Sequence, residues 1–123
     1  MVPRLDPMIV STDGERLAAF YRELLGAVET VRQPAEGPAF YLGLELGGTR
    51  LGIVCDAGAQ AGPQRFLLSA ELDSAADVDV LLPRVRELGG TAEGEANNMP
   101  WGQRVAHVTD PDGNTLNLAG PIA

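Results

Sequence analysis

A chain of 123 residues can bury a core of its own, and 45% hydrophobic with 21% charged residues marks it as an ordered globular protein. The formal net charge of −8 disfavours nucleic acid and anionic membrane surfaces as partners and leaves room for a cationic ligand. The single cysteine, Cys55, excludes an internal disulfide and a multi-cysteine zinc site. No apolar run approaches the roughly 20 residues of a membrane span, and Met1–Asp6 shows no signal-peptide pattern, so the expectation is a cytoplasmic protein.

Residues 5–11 read as a first strand, placed at an edge or made irregular by Pro7. Thr12-Asp13-Gly14-Glu15 has the spacing of a capping box, in which hydroxyl and carboxylate satisfy each other's backbone amides. The helix expected over 14–25 sets Leu17, Phe20, Tyr21, Leu24 and Leu25 at helical spacing and ends at Gly26. Val28–Val31 is a short strand, and 33–38 a loop bearing Pro34, Gly37 and Pro38.

Phe40–Leu46 and Thr49–Cys55 then form a hairpin on the two-residue turn Gly47-Gly48. That turn sets Leu44 opposite Leu51 and Leu42 opposite Ile53 on an apolar face, which also takes Phe40 and Cys55. Tyr41, Gly43, Glu45, Arg50, Gly52 and Val54 occupy the other face, where Glu45 opposite Arg50 is a cross-strand ion pair. Cys55 on the apolar face reads as a buried, inert thiol.

Residues 56–64 are small and Gly/Pro-bearing, the one linker-like segment in the chain. After it the pattern restarts. A strand over Phe66–Leu72 leads to a second capping box, Ser74 to Asp77, and a helix running to about Leu88. Pro83 inside that run should start, kink or shorten it, and Gly89-Gly90 stops it. Thr91–Glu95 is expected as a short strand and 96–102 as a loop carrying Trp101. Trp101 has two readings: a ring that plugs the end of a sheet, or one that stacks on a planar or cationic ligand.

The last element is another hairpin. Val105–Thr109 and Thr115–Ala119 flank a three-residue Pro111-Asp112-Gly113 loop closed by Asp110 opposite Asn114. Val108–Leu116 and Ala106–Leu118 then share an apolar face, while His107–Asn117 and Thr109–Thr115 share a polar one. Strand, helix and three strands thus occur twice, at a period of roughly 60 residues, too short for two independent domains. The fold class is α+β: two βαβββ modules, about 1–56 and 65–123, joined by 57–64 and making a single domain. The same parity gathers a binding-type inventory on the polar faces: Asp6, Met8, Tyr41, Arg50, Leu67, Glu71, His107 and Asn117, with Glu45, Ser69 and Val54, and Trp101 from the loop.

The doubled plan, with FYRELLG at 20–26, LGG at 88–90 and WGQR…VTDPDGNTLNL at 101–118, resembles the vicinal oxygen chelate superfamily of glyoxalases, extradiol dioxygenases, and fosfomycin and bleomycin resistance proteins. The resemblance covers nearly the whole chain. It implies paired modules curling into a U-shaped sheet around a cavity, commonly near a dimer interface, and hence a homodimer. It also implies metal ligands at four positions that here hold Asp6, Gly52, Leu67 and Asn117. That set contains no imidazole and one carboxylate, a poor match to any transition metal. The expectation is therefore a protein without metal or other cofactor, closest to the metal-free, bleomycin-resistance-like members, binding a small and possibly cationic or aromatic molecule. The alternative is a metal-dependent glyoxalase- or dioxygenase-like enzyme, or acid–base work by His107 with Glu71 or Glu45. A third reading is an interaction module in which Tyr41 and Trp101 fill the space.

Overall fold

The structure is a computed structural model that describes residues 4–123. The reading of Met1–Asp6 as free of a targeting pattern falls partly on residues outside the described ones. The chain divides into two compact units, Met1–Ala61 and Gly62–Ala123. Each contains one helix and one mixed four-stranded sheet, in the order strand, helix, three strands. Among the described residues no helix is long and apolar enough to cross a membrane.

In the first unit β1 (Met8–Ser11) leads into α1 (Gly14–Leu25), followed by β2 (Val28–Gln33), β3 (Tyr41–Leu46) and β4 (Thr49–Cys55). The sheet order is β1-β4-β3-β2, with β1 parallel to β4 and the remaining pairs antiparallel. The hairpin register is the expected one: Leu44 faces Leu51, Leu42 faces Ile53, and Glu45 faces Arg50. Gly47 and Gly48 both take positive φ, 54° and 80°, which a two-residue turn between twisted strands requires. Leu17, Phe20, Tyr21 and Leu24 of α1 are buried, as are Leu42, Leu44, Leu51 and Ile53 of the sheet they pack on. Burying each such side chain is worth about 1.5–3 kcal/mol, which makes this contact the unit's main source of stability. Phe20 and Tyr21 meet edge to face at 5.1 Å.

The helix start differs from the expected capping box. The N-cap is Asp13, whose carboxylate accepts from the Arg16 amide, while Ser11 Oγ accepts from the Asp13 amide. The helix begins one residue too late for Thr12 to cap it. Glu15 is instead drawn to the Arg32 guanidinium of β2, at 2.7 and 2.8 Å. Bidentate pairing with a cation is a stronger attraction than a neutral backbone amide offers. Gly26 closes the helix at φ 75°, as expected.

The second unit comprises β5 (Leu68–Glu71), α2 (Ala75–Glu87), β6 (Asn97–Asn98), β7 (Gln103–Thr109) and β8 (Thr115–Pro121), in sheet order β5-β8-β7-β6. Its hairpin also has the expected register, with Val108 facing Leu116 and His107 facing Asn117. Asp110 is buried and closes the loop: its Oδ1 accepts from the Asp112 and Asn114 amides, and Asn114 Nδ2 donates to both carboxylate oxygens. Gly113 takes φ 85°.

Two expectations fail in this unit. The short strand placed at Thr91–Glu95 is only a single bridge from Thr91 to Thr109, and the paired segment is Asn97–Asn98, in the stretch read as loop. Polar Asn97-Asn98 carries no strand propensity of its own; antiparallel pairing with Val105 and Arg104 makes it a strand. Pro83 does not start α2 and does not stop it, since the helix runs on to Glu87; a kink at Pro83 is the part of that expectation the helix span leaves open. The ring lies on the exposed side of the helix, where solvent can satisfy the carbonyl one turn earlier.

Helix α2 buries only Val78 and Val85, fewer apolar side chains than α1. Two other contacts seat it. Arg104 of β7 forms a double hydrogen bond with Asp79, at 2.9 and 3.1 Å. Gly120 of β8 lies so close to the Ser74 carbonyl that a Cβ there would overlap it.

Candidate functional site

Alternation along each strand separates a face packed on the helix from a far face. In the second unit Ala106, Val108, Leu116 and Leu118 are buried toward α2, and Arg104 reaches Asp79 on the same side. His107, Asn117, Ser69, Glu71 and Gln103 therefore stand on the far face. His107 Nδ1 and Asn117 Oδ1 meet at 2.6 Å across the β7–β8 pair. An amide oxygen can only accept, so this contact is a hydrogen bond in the tautomer that carries its proton on Nδ1.

A second group stands one row along. Trp101 Nε1 donates to Gln103 Oε1 at 3.0 Å, and Gln103 Nε2 donates to Glu71 Oε2 at 3.4 Å. Gln103 is on β7 and Glu71 on β5, with β8 between them, so this bond crosses a whole strand. Ala119 pairs with Glu71 on one side and Val105 on the other; both small apolar residues are buried on this face. Trp101 is 67% exposed. It therefore plugs nothing within its own unit and leaves an indole face open beside a carboxylate. Leu67 lies just before β5 rather than in it, and is exposed.

In the first unit the far face carries Met8, Val10, Tyr41, Glu45, Arg50 and Val54 around two glycines. Tyr41 leans over Gly52 and Gly43: a Cβ on Gly52 would come within 2.8 Å of the tyrosine hydroxyl and 3.0 Å of Met8 Cγ. Gly52 thus lies at the bottom of a slot that Tyr41 and Met8 fill. Arg50 Nη2 donates to Glu45 at 3.2 Å, and Arg4 Nε to Asp6 at 2.6 Å. Asp6 lies just before β1. The Asp6 hydrogen bond and charge hold Arg4 above the usual arginine range.

Of the residues drawn from the sequence, His107, Asn117, Ser69, Glu71 and Trp101 share the neighbourhood of one sheet face. Tyr41, Met8, Arg50, Glu45, Val54 and Asp6 share another, and Leu67 is an exposed apolar side chain before β5. Gln103 was not singled out. Its signal was present: an outward position at the start of the final hairpin, two residues from the only tryptophan.

The positions that the resemblance assigned to metal do not form a ligand set. Asp6 is paired with Arg4, Gly52 offers no donor and is covered by Tyr41, Leu67 is apolar, and Asn117 Oδ1 is occupied by His107. Among the described residues no group of three His, Cys, Asp or Glu is placed to hold a metal ion. The Cys55 thiol abuts the Gly14 backbone at the start of α1, and burial, reinforced by the Glu15 charge, pushes its pKa up, away from the thiolate that a nucleophile needs.

A chain of two βαβββ units, each exposing a polar side-chain array on the face away from its helix, has the plan of the glyoxalase-type proteins. Residues 5–118 match the Glyoxalase/Bleomycin resistance protein/Dioxygenase superfamily. The chain belongs to that superfamily. Comparison with curated proteins gives no match. Solved structures similar to it include a glyoxalase/bleomycin resistance protein/dioxygenase family enzyme from Burkholderia phytofirmans PsJN (TM-score 0.81, 21% identity, 94% of this chain and 95% of that one). A genomically encoded fosfomycin resistance protein from Listeria monocytogenes is also similar (0.76, 17%, 98% and 94%). So is a lactoylglutathione lyase from Agrobacterium tumefaciens (0.71, 18%, 96% and 92%). A resistance protein and a lyase share the fold, so the fold alone does not choose between those functions.

Proposed function

We propose that this protein is a metal-independent small-molecule binding protein of the glyoxalase/bleomycin-resistance type, acting by sequestration. The supporting observation is the Trp101–Gln103–Glu71 array. It sets an exposed indole face and a carboxylate on one sheet face, a combination that suits a planar or cationic ligand. His107 and Asn117, one row away, add polar groups that orient such a ligand. The net charge of −8 attracts a cation over a longer range.

The metal-dependent enzyme, the competing reading, requires ligands that Asp6, Gly52, Leu67 and Asn117 do not supply. We propose a cytoplasmic protein and a homodimer, and sedimentation equilibrium tests the dimer.

Trp101 is the only tryptophan, so its fluorescence reports on this face alone. Titration with cationic aromatic antibiotics is expected to quench it saturably, with affinity reduced in His107→Ala and Asn117→Ala. Silence of Trp101 toward every compound, or unchanged affinity in both variants, would move the binding surface elsewhere. Elemental analysis of protein purified without chelator is expected to find no stoichiometric metal. A full equivalent of nickel, zinc, manganese or iron would overturn the metal-independent reading.

A further inference from the structure

The geometry points to His107 Nε2 as the acceptor for a hydrogen-bond-donating group of the ligand, a hydroxyl or an amide N–H, with Asn117 the positioning residue that sets the proton of the neutral ring on Nδ1. The inference rests on the binding reading above and adds the chemistry of one contact.

A neutral imidazole carries one ring proton, and the partner of one nitrogen decides the state of the other. Here Nδ1 faces a carbonyl oxygen at 2.6 Å, a contact that favours the neutral tautomer with its proton on Nδ1 and a lone pair on Nε2. The two side chains face each other across the β7–β8 pair, in a register pinned by the Asp110–Asn114 loop closure and by the buried Val108–Leu116 and Ala106–Leu118 pairs. A slip of one residue would expose those pairs, so the dyad is fixed by core packing as well as by its own bond. His107 is exposed, which leaves Nε2 accessible. Asn117 is half-buried and spends its oxygen on the ring, leaving its Nδ2 protons as donors beside it. An acceptor next to a donor complements a ligand group that carries both, such as a carboxamide or a hydroxyl beside a carbonyl. A ring free to choose its tautomer would offer that acceptor only part of the time.

His107 is the only histidine, so its ring nitrogens can be observed without assignment ambiguity. Long-range proton–nitrogen correlation NMR, at a pH where the ring is neutral, is expected to show the Nδ1–H tautomer in the wild-type protein. Asn117→Ala should lose that signature, and Asn117→Asp, which keeps an acceptor in place, should retain it. Titration with glycolamide, an uncharged probe with hydroxyl and amide donors, should shift Nε2 in the wild type and shift it less in Asn117→Ala. Circular dichroism confirms that each variant is folded. An Nε2–H tautomer in the wild type, an unchanged tautomer in Asn117→Ala, or an Nε2 resonance that glycolamide does not move would each overturn the inference. A cationic aromatic compound that quenches Trp101 without moving Nε2 would also overturn it, while leaving the proposed function standing.

Discussion

Gln103 and Glu71 meet at 3.4 Å although a whole strand, β8, lies between the strands that carry them. Neighbouring strands are about 4.8 Å apart, so only two long side chains leaning toward each other close that span, and they do so where β8 carries small Ala119. Trp101 hangs from the other end of the Gln103 amide. Gln103 is half-buried and outside the core, so Gln103→Ala should leave stability within about 0.5 kcal/mol of wild type. The indole, released from the Gln103 amide, should show a faster anisotropy decay and weaker quenching by a cationic ligand. An unchanged decay would mean that something other than Gln103 orients the ring.

Two glycines separate a tight backbone contact from a side-chain one. At Gly120 an added Cβ would overlap the Ser74 carbonyl, a main-chain atom at the start of α2. At Gly52 it would press on side-chain atoms only, the Tyr41 hydroxyl and ring edge and Met8 Cγ, which can turn about their own bonds. Gly120→Ala should therefore cost about 3 kcal/mol or more by denaturant unfolding, and Gly52→Ala about 1 kcal/mol or less. Gly52→Ala should also shift the Tyr41 ring resonances. Comparable losses for the two substitutions would contradict the seating of α2 on Gly120.

How much of this was legible in the sequence follows from the range of the forces involved. Both hairpin registers were readable because they rest on local features: Gly47-Gly48 and Pro111-Asp112-Gly113 fix the turns, and alternation of Leu, Ile and Val fixes the faces. The strand at Asn97–Asn98 was not readable, because its pairing comes from β7 rather than from its own residues. The α1 cap lies one residue later than local spacing predicts, for a related reason. Arg32, seventeen positions away, takes the Glu15 carboxylate that a capping box needs. Local spacing around Thr12 contains no trace of that competitor. Gln103 escaped notice because a glutamine in a strand is chemically bland until Trp101 and Glu71 are seen at its two ends.

The Arg32 contact makes a pH prediction. The hydrogen bond and charge of Arg32 hold the Glu15 carboxyl below its ordinary value. A carboxylate whose folded pKa is depressed stabilises the fold above its unfolded pKa, and that contribution is lost as pH falls through the folded pKa. Both partners are partly exposed, so the effect is small and sensitive to salt. Glu15→Gln should flatten the acid limb of the stability–pH curve relative to wild type while leaving the curve above neutral pH parallel to it. The difference should shrink in high salt. An acid limb of equal slope in both proteins would show that the pair contributes nothing to folding.

The two helix starts allow the corrected cap to be tested within one molecule. In α2 the expected residue caps: Ser74 Oγ accepts from the Asp77 amide, though the bond is long at 3.4 Å. In α1 the cap is Asp13, accepting from Arg16 at 3.2 Å, and the Thr12 side chain is exposed. Removing a capping side chain costs about 1 kcal/mol, and removing an uninvolved surface hydroxyl costs within about 0.5 kcal/mol. Asp13→Ala should therefore lower stability by about 1 kcal/mol, Ser74→Ala by somewhat less, and Thr12→Ala by almost nothing. Asp13→Asn should recover most of the Asp13→Ala loss, because an amide oxygen still reaches the Arg16 amide. A Thr12→Ala loss as large as that of Asp13→Ala would restore the capping box and put the start of α1 one residue earlier.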